Sequence, residues 1–436
     1  MKKRINIILF FILNFLVILL AKRYLELQQP YENVLCFGIF AFLSNTILFI
    51  GFERFKDLLN PISVYYPFLL CFSYCFIVLS SKQIPLSPTT YIILGGSIFS
   101  YVFSVFLYKT KSNSNRIKKL YFNRLTVFYG IIVIAFITFI GETILLGYLP
   151  IFNIQNDDVY GDSNKNMIPL FHYFIIMLAF IPAFGYGLYK QGFLSKKRFK
   201  VICFIVLCIL VNYLSKQVYL MSFMSILCVY VLYNNLNIKK ITIYVSLLVG
   251  LFVGIAQLRF ASEKNIDIDA YYRMHAGINN DAITFYEAAM TEYSSNRFGA
   301  LEKMVDFFET SDFVGFGLYT FKPLHSFFFL EKGGIVSKPP ELEAEIKVGT
   351  YVVDPYLDFG LGGVIILNLF YGFLASRYYF LMKEGSLSAT IKFSFVSFCM
   401  IMGMFVNFFN TVTFLFVLVF SDMIFGNLMF KKGNEK

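Results

Sequence analysis

LRFASEKNIDIDAYYRMHAGINN (258–280) opens the one long polar segment of a 436-residue chain, and almost everything on either side of it is apolar. The segment continues through FYEAAMTEYSSNRFGALEKMVDFF (285–308), VGFGLYTFKPLHSFFFLEKGG (314–334) and ELEAEIKVGT (341–350). It holds 14 acidic residues against nine basic ones, and two of the chain's three histidines. Structureless connections of this length are uncommon in a folded protein, so the segment is expected to fold as a cap. Arg297, Leu301, Met304 or Val305, and Phe308 recur on one side of a helix drawn from about 295 to 309. The stretch 281–293 is a second helix candidate. VGFGLYTFKPLHSFFFL is too aromatic to face water uncovered; it either lies in a membrane interface or packs onto its neighbours.

Working outward, 58% of the residues are hydrophobic and 15% are charged, against about 25% charged in soluble domains. Uncharged runs of ~20 residues mark membrane-crossing helices. The fold class read from this pattern is all-α: a polytopic helix bundle of about twelve spans with a large, partly helical outer loop. The spans fall near 5–21, 33–51, 62–80, 89–108, 125–147, 168–189, 199–214, 217–233, 238–257, 354–376, 391–409 and 411–430. The chain therefore divides into nine spans (1–257), the cap (258–350), and three spans with a tail (351–436). The pairs 199–214/217–233 and 391–409/411–430 have almost no connecting loop, so either pair is two crossings, a re-entrant hairpin or a broken helix. Pro182 removes a helix hydrogen bond and is expected to kink the sixth span. The start, MKKRINIILFFILNFLVILLAKRY, resembles a signal peptide but lacks a small-x-small cleavage site and reads as a retained first helix. The chain has no Trp, so Tyr alone would supply the interfacial aromatic belt. Six of the seven Cys lie within apolar runs and Cys36 opens another, as small buried hydrophobes do, without metal or disulfide spacing.

Charge sets the orientation. With the amino terminus inside, the inner loops carry 24 of the 38 basic residues, and the short outer loops carry Lys22, Arg23, Lys82, Lys165 and Lys216. Lys392 counts with the inner set. The excess of cations inside satisfies the positive-inside rule and places both termini in the cytoplasm and the 258–350 loop outside. Asp157, Asp158 and Asp162 fall in an outer loop. The net charge of +11 is therefore matched to anionic lipid headgroups, not to nucleic acid.

The chain has no P-loop, HExxH or G-x-S-x-G motif, no spacing that suggests a metal site, and no sign of a cofactor. GLGG (360–363) reads as close helix packing. Arg259, Arg273 and Arg297 are cations of the cap with the forked geometry that grips phosphate oxygens. His275 and His325 are candidate proton acceptors near neutral pH, with His172, at the outer end of the sixth span, a weaker one. Lys322 lies three residues before His325. Asp354, followed by Pro355, has the pattern of a helix N-cap. Asp358 lies one turn into the tenth span, with Tyr351 seven residues earlier and expected on the same side. Glu142, inside the fifth span, is costly there unless it is paired or faces a wet cavity.

Three features resemble the bacterial oligosaccharide repeat-unit polymerases, the O-antigen and capsule polymerase family. One is the layout of a dozen spans with a large outer loop near the carboxyl end. The others are SSNRFGALEKMVDFFETSDFVGFGLYT (294–320) and VVDPYLDFGLGGVIILNLFYGFLASRYY (352–379). The resemblance implies glycosyl transfer between undecaprenyl-diphosphate-linked oligosaccharides at the outer face of the bacterial plasma membrane, with release of lipid diphosphate. It implies that Arg297, with Arg259 or Arg273, faces the diphosphate. His275, Tyr351 and Lys322 complete a substrate-binding set, and His325, Asp358 and Glu142 are the catalytic candidates. Membrane lipids, a chain-length regulator and a flippase of the same pathway are the implied partners. A glycan ligase of similar chemistry and a lipid-linked oligosaccharide flippase or transporter are the alternatives.

Overall fold

The apolar runs fold as helices because lipid offers no partners for backbone N–H and C=O groups, and a helix satisfies them within one segment. The computed structural model describes residues 2–81, 83–109, 123–153, 167–213, 215–234, 246, 250, 268–292, 296–310, 314–328, 349–426 and 428. Each predicted run forms a helix except the ninth, 238–257, which lies almost wholly outside the described residues. The apolar helices are α1 (Lys2–Glu26), α2 (Tyr31–Phe55), α3 (Pro61–Tyr74), α4 (Pro88–Leu107), α5 (Arg124–Leu146), α6 (His172–Lys190), α7 (Lys196–Tyr213) and α8 (Lys216–Tyr233). The cap contributes α9 (Ile268–Ala276), α10 (Phe285–Met290), α11 (Asn296–Thr310) and α12 (Lys322–Phe327). The chain closes with α13 (Val353–Lys383), α14 (Leu387–Met402) and α15 (Val412–Phe425). Among the described residues, six helices are long and apolar enough to cross a membrane: α1 from Asn6, α2, α4, α5, α6 and α13. The 25 residues of α2 reach about 38 Å at about 1.5 Å each, against a hydrocarbon core of about 30 Å. The protein is an all-helical, polytopic membrane bundle.

The described residues form two compact units. The first comprises residues 1–109, 267–376 and 399–410. In it α1 and α2 pair around Tyr24 and Phe37, whose rings meet edge-on at 5.5 Å, with Tyr74 against both. Polar links cross the apolar helices: Asn45 Nδ2 donates to Asn14 Oδ1 at 3.0 Å, and Tyr66 OH donates to Asn45 Oδ1. Helix α3 stops at Tyr74, short of the predicted 80, because the chain beyond it bonds to the cap. The Ser81 N–H and hydroxyl both donate to the Gly277 carbonyl, and the Ser80 hydroxyl donates to that of Ala276. The cap is fastened at two further helix ends. Arg23, at the end of α1, bonds Glu287 and the Ala282 carbonyl at 3.3 and 2.6 Å. Ser87, the N-cap of α4, donates its N–H and hydroxyl to Glu302 of α11 at 2.8 and 3.2 Å. The ends of α1 and α3 and the start of α4 thus share one face of this unit with the described cap helices.

The second unit comprises residues 110–266, 377–398 and 411–436. Its sixth predicted span passes through a 3-10 turn, Leu178–Phe180, just before Pro182. That is the local tightening a missing proline N–H invites. Rings fill its core, with Phe180 on Phe395 and Phe184 on Phe425. Gly187 admits the Phe425 ring, which a Cβ would meet at 2.8 Å. Lys392 is not a loop cation: it is buried within α14, with its Nζ 2.6 Å from Asp422 of α15 and over the Tyr378 ring. A buried ammonium needs such a partner.

Candidate functional site

The first unit contains a polar junction built from a kinked helix and an irregular turn between two others. Helix α13 breaks at Gly360, which adopts φ +60° in the left-handed region that favours glycine. A Cβ on Gly363 would meet the Pro355 carbonyl at 2.5 Å. GLGG (360–363) is therefore an intrahelical kink, and the close helix contact expected of it occurs at Gly372, where a Cβ would come within 2.7 Å of the Tyr101 carbonyl. The second interruption is the segment 403–411 between α14 and α15, helices of 16 and 14 residues. At about 24 and 21 Å, each is too short to cross the core alone. The start of α14 meets the end of α15, where Ser388 and Lys392 both bond Asp422, so the 391–409/411–430 pair is a short helical hairpin whose irregular turn carries Asn407 and Asn410.

The two interruptions are tied together. Asn407 and Asn410 both donate to Asp354 Oδ2, at 2.7 and 3.0 Å. Asp354 lies inside the first turn of α13, which begins at Val353, and not at the N-cap its sequence suggests; its carboxylate serves the asparagines across the junction. The Tyr351 N–H donates to the Gly403 carbonyl at 2.8 Å. Lys322, exposed at the start of α12, acts electrostatically on Asp354. Asp358 is fully buried and accepts from the backbone N–H groups of Tyr319 and Thr320, at 3.2 and 2.6 Å. Both of its oxygens hold the 314–321 turn, an arrangement suited to a tether and not to a free base. Burial, with the Asp358 charge beside it, pushes the Tyr319 phenol up to about 12, so this group stays protonated at neutral pH.

Arg297 opens α11, where the periodicity put it. Leu301, Met304 and Val305 on the same side are buried, and Phe308 meets the Tyr356 ring at 4.9 Å. Arg297 Nη2 donates to Glu292 at 2.6 Å, and its guanidinium carbon sits 4.8 Å from the centre of the Phe405 ring, in the 403–411 break. The buried Nε has no hydrogen-bond partner among the described residues. His325 is half-buried on α12, and its Nδ1 likewise has no partner among the described residues. The other predicted residues are placed elsewhere. Arg273 fastens the α9–α10 connection through the Asp281 and Ile283 carbonyls and the Asp281 carboxylate. The His275 ring lies at a tilt against Tyr271, 4.2 Å between centroids. The Tyr351 hydroxyl does not turn to Asp358; it joins Tyr65, Ser97 and Asn368 in a buried cluster. Arg259 and the Asp157–Asp162 loop lie outside the described residues.

Glu142 belongs to the second unit and is paired. Its oxygens accept from the Ile168 N–H at 3.0 Å and from the Tyr213 hydroxyl at 2.7 Å, and His172 Nδ1 lies 3.0 Å from both. Sequence reasoning flagged both Glu142 and His172. Their pairing depends on α5 and α6 being neighbours, which neither run states by itself.

The junction holds the Arg297 guanidinium, the Asp354 and Asp358 carboxylates and the Asn407 and Asn410 amides, with the Lys322 ammonium acting on Asp354; His325 lies three residues beyond Lys322 on α12. Guanidinium and ammonium groups can hold anionic oxygens. Among the described residues, no group of three His, Cys, Asp or Glu side chains is placed to hold a metal ion. Comparison of the chain with protein-family models, curated proteins and solved structures finds no match.

Proposed function

We propose that the protein lengthens lipid-linked glycans. The donor is a glycan on undecaprenyl diphosphate, and the acceptor is a second lipid-linked repeat. The acceptor's sugar hydroxyl oxygen bonds to the donor's anomeric carbon, the bond from that carbon to diphosphate oxygen breaks, and the hydroxyl proton passes to His325. Arg297, with Lys322, steadies the charge that grows on the departing diphosphate. One such donor is worth ~3–4 kcal/mol of barrier. In this reading the chain crosses the bacterial plasma membrane about twelve times, with both termini cytoplasmic and the 258–350 cap outside. Positive-inside charge supports that orientation, and so does the single face shared by the cap and the ends of α1, α3 and α4.

The observation that carries the reading is the meeting of the two stretches on which the family resemblance rests. Asp358 of the second holds Tyr319 and Thr320 of the first, and the Tyr356 ring packs at a tilt against Phe308. Segments some 40 residues apart in sequence thereby form one polar junction.

The test is purified protein in liposomes, given lipid-diphosphate-linked repeats without nucleotide sugar and with chelator present. A ladder of longer glycans and free lipid diphosphate are expected. Arg297→Lys should be impaired, because lysine lacks the fork, and Arg297→Ala nearly inactive. His325→Ala should lose ~10²- to 10⁴-fold. A ligase would instead need a separate acceptor, and a flippase would move the substrate without lengthening it. The absence of a ladder from a verified native repeat refutes the polymerase reading. Wild-type rates in the Arg297 variants refute the role given to that residue.

A further inference from the structure

The turn 314–321 presents a bulky ring where a soluble protein would avoid one. Phe316 is 81% exposed and adopts φ +48°, in the left-handed region. A bulky residue there is strained and persists only when its surroundings over-determine it. They do so here. The Gly315 N–H donates to the Leu357 carbonyl, and Asp358 grips the next two amides past Leu318. A side chain at Gly315 would strike Asp358, and one at Gly317 would strike Phe321. The turn is clamped from behind by α13, so the Phe316 ring points away from the protein.

This ring is not isolated. Phe321 and Leu324 on the approach to and within α12 are exposed, and Phe328 just past it is 61% exposed. The patch runs onto the exposed apolar side of α13: the Phe321 ring meets Phe359 at 6.4 Å, and Phe359 is followed by exposed Leu361, Ile366 and Phe370. That side of α13, a membrane-crossing helix, is a lipid-facing surface. Contiguous exposed apolar area of this kind marks an interaction site. Here the adjoining surface already names its occupant. Exposed Lys322 sits within the patch, where a long stem can lie along the apolar surface with its ammonium at the headgroups.

We propose that residues 314–328 form an interfacial membrane anchor: the Phe316 turn and α12 dip into one leaflet beside α13, with the rings at the headgroup–acyl boundary. The anchor holds the turn, and with it His325 and Lys322, at headgroup level. It stands on packing alone and holds whichever reaction the protein performs.

The chain contains no tryptophan, so a single introduced indole reports its own surroundings. Phe316→Trp, in vesicles containing brominated phosphatidylcholine, is expected to be quenched nearly as strongly as Ile366→Trp on the lipid side of α13. It should be shielded from aqueous acrylamide. Tyr286→Trp, exposed on α10, should show the reverse. Lipids brominated near the headgroup should quench Phe316→Trp more than lipids brominated near the chain end. Phe328→Trp gives a second, independent reading should the strained position reject indole. Acrylamide access equal to Tyr286→Trp with no bromolipid quenching overturns the anchor, and stronger quenching from the chain end overturns its interfacial depth.

Discussion

Asp358→Asn separates a tether from a catalytic group. The carboxylate is fully buried, and its two oxygens take the Tyr319 and Thr320 amides at 3.2 and 2.6 Å. Hydrogen bonds to a charged group contribute about 1.5–3 kcal/mol each. Asparagine keeps the volume but removes the charge and turns an NH₂ toward one backbone donor. One bond is lost and the other weakened, a cost of about 3 kcal/mol to the clamp. At about 1.4 kcal/mol per factor of ten, the turn should open roughly 100-fold more often. Hydrogen exchange read by mass spectrometry on peptides covering 314–321 should show this acceleration, with α8 unchanged. Gly315→Ala should loosen the same amides from the other side, because its Cβ would strike Asp358 Oδ1. If Asp358→Asn abolishes the proposed glycan elongation while exchange in 314–321 stays at the wild-type rate, the tether argument is wrong.

Two further perturbations test how buried charge is satisfied. Removing one partner of a buried pair costs about 3–5 kcal/mol, because the other is left uncompensated. Glu142→Ala should destabilise by about that much and His172→Ala by less, because Ile168 and Tyr213 still donate to Glu142, and the double variant should fall well short of their sum. Thermal unfolding followed by a thiol-reactive dye can read this, since the Cys71, Cys75, Cys228 and Cys399 side chains are buried; additive losses would refute the pairing. Glu302→Ala should loosen α11 from the start of α4 by about 1.5–3 kcal/mol, with Glu302→Gln milder. Exchange in α11 that does not respond to either variant would show that the Ser87 contacts do not hold the cap.

Periodicity fixes what depends on one segment alone. The cap helix drawn at 295–309 is observed at Asn296–Thr310, and the apolar runs among the described residues recur as helices. The 281–293 candidate shrinks to Phe285–Met290, where a capping box of Thr284 and Glu287 sets its start. What periodicity cannot carry is the identity of a partner. Glu142 is visibly in need of one, yet nothing in α5 names His172. Asp354 and Asp358 look alike on paper. One turns to asparagines more than 50 residues away and the other to amides nearly 40 residues back. Glycine is similarly ambiguous in one dimension: Gly360 and Gly363 make a kink, whereas Gly372 makes the helix contact expected of them.

The irregular turn between α14 and α15 explains why the cap has to be folded. Irregular backbone facing lipid leaves polar groups that each cost several kcal/mol, so it persists only where protein or a wet cavity covers it. The 403–411 segment meets this demand with Asp354 on its asparagines, the Tyr351 amide on the Gly403 carbonyl, and the Arg297 guanidinium over Phe405. The last of these comes from the cap. Glu302, Ser80 and Ser81 then fix the cap to the bundle, and Asp358 fixes the turn that follows it. Cover and break therefore depend on each other. Excising residues 268–328 would not leave a trimmed bundle of spans; it would expose the interrupted backbone and unsettle the first unit, so the cap belongs to the stable core of that unit as much as the apolar helices do.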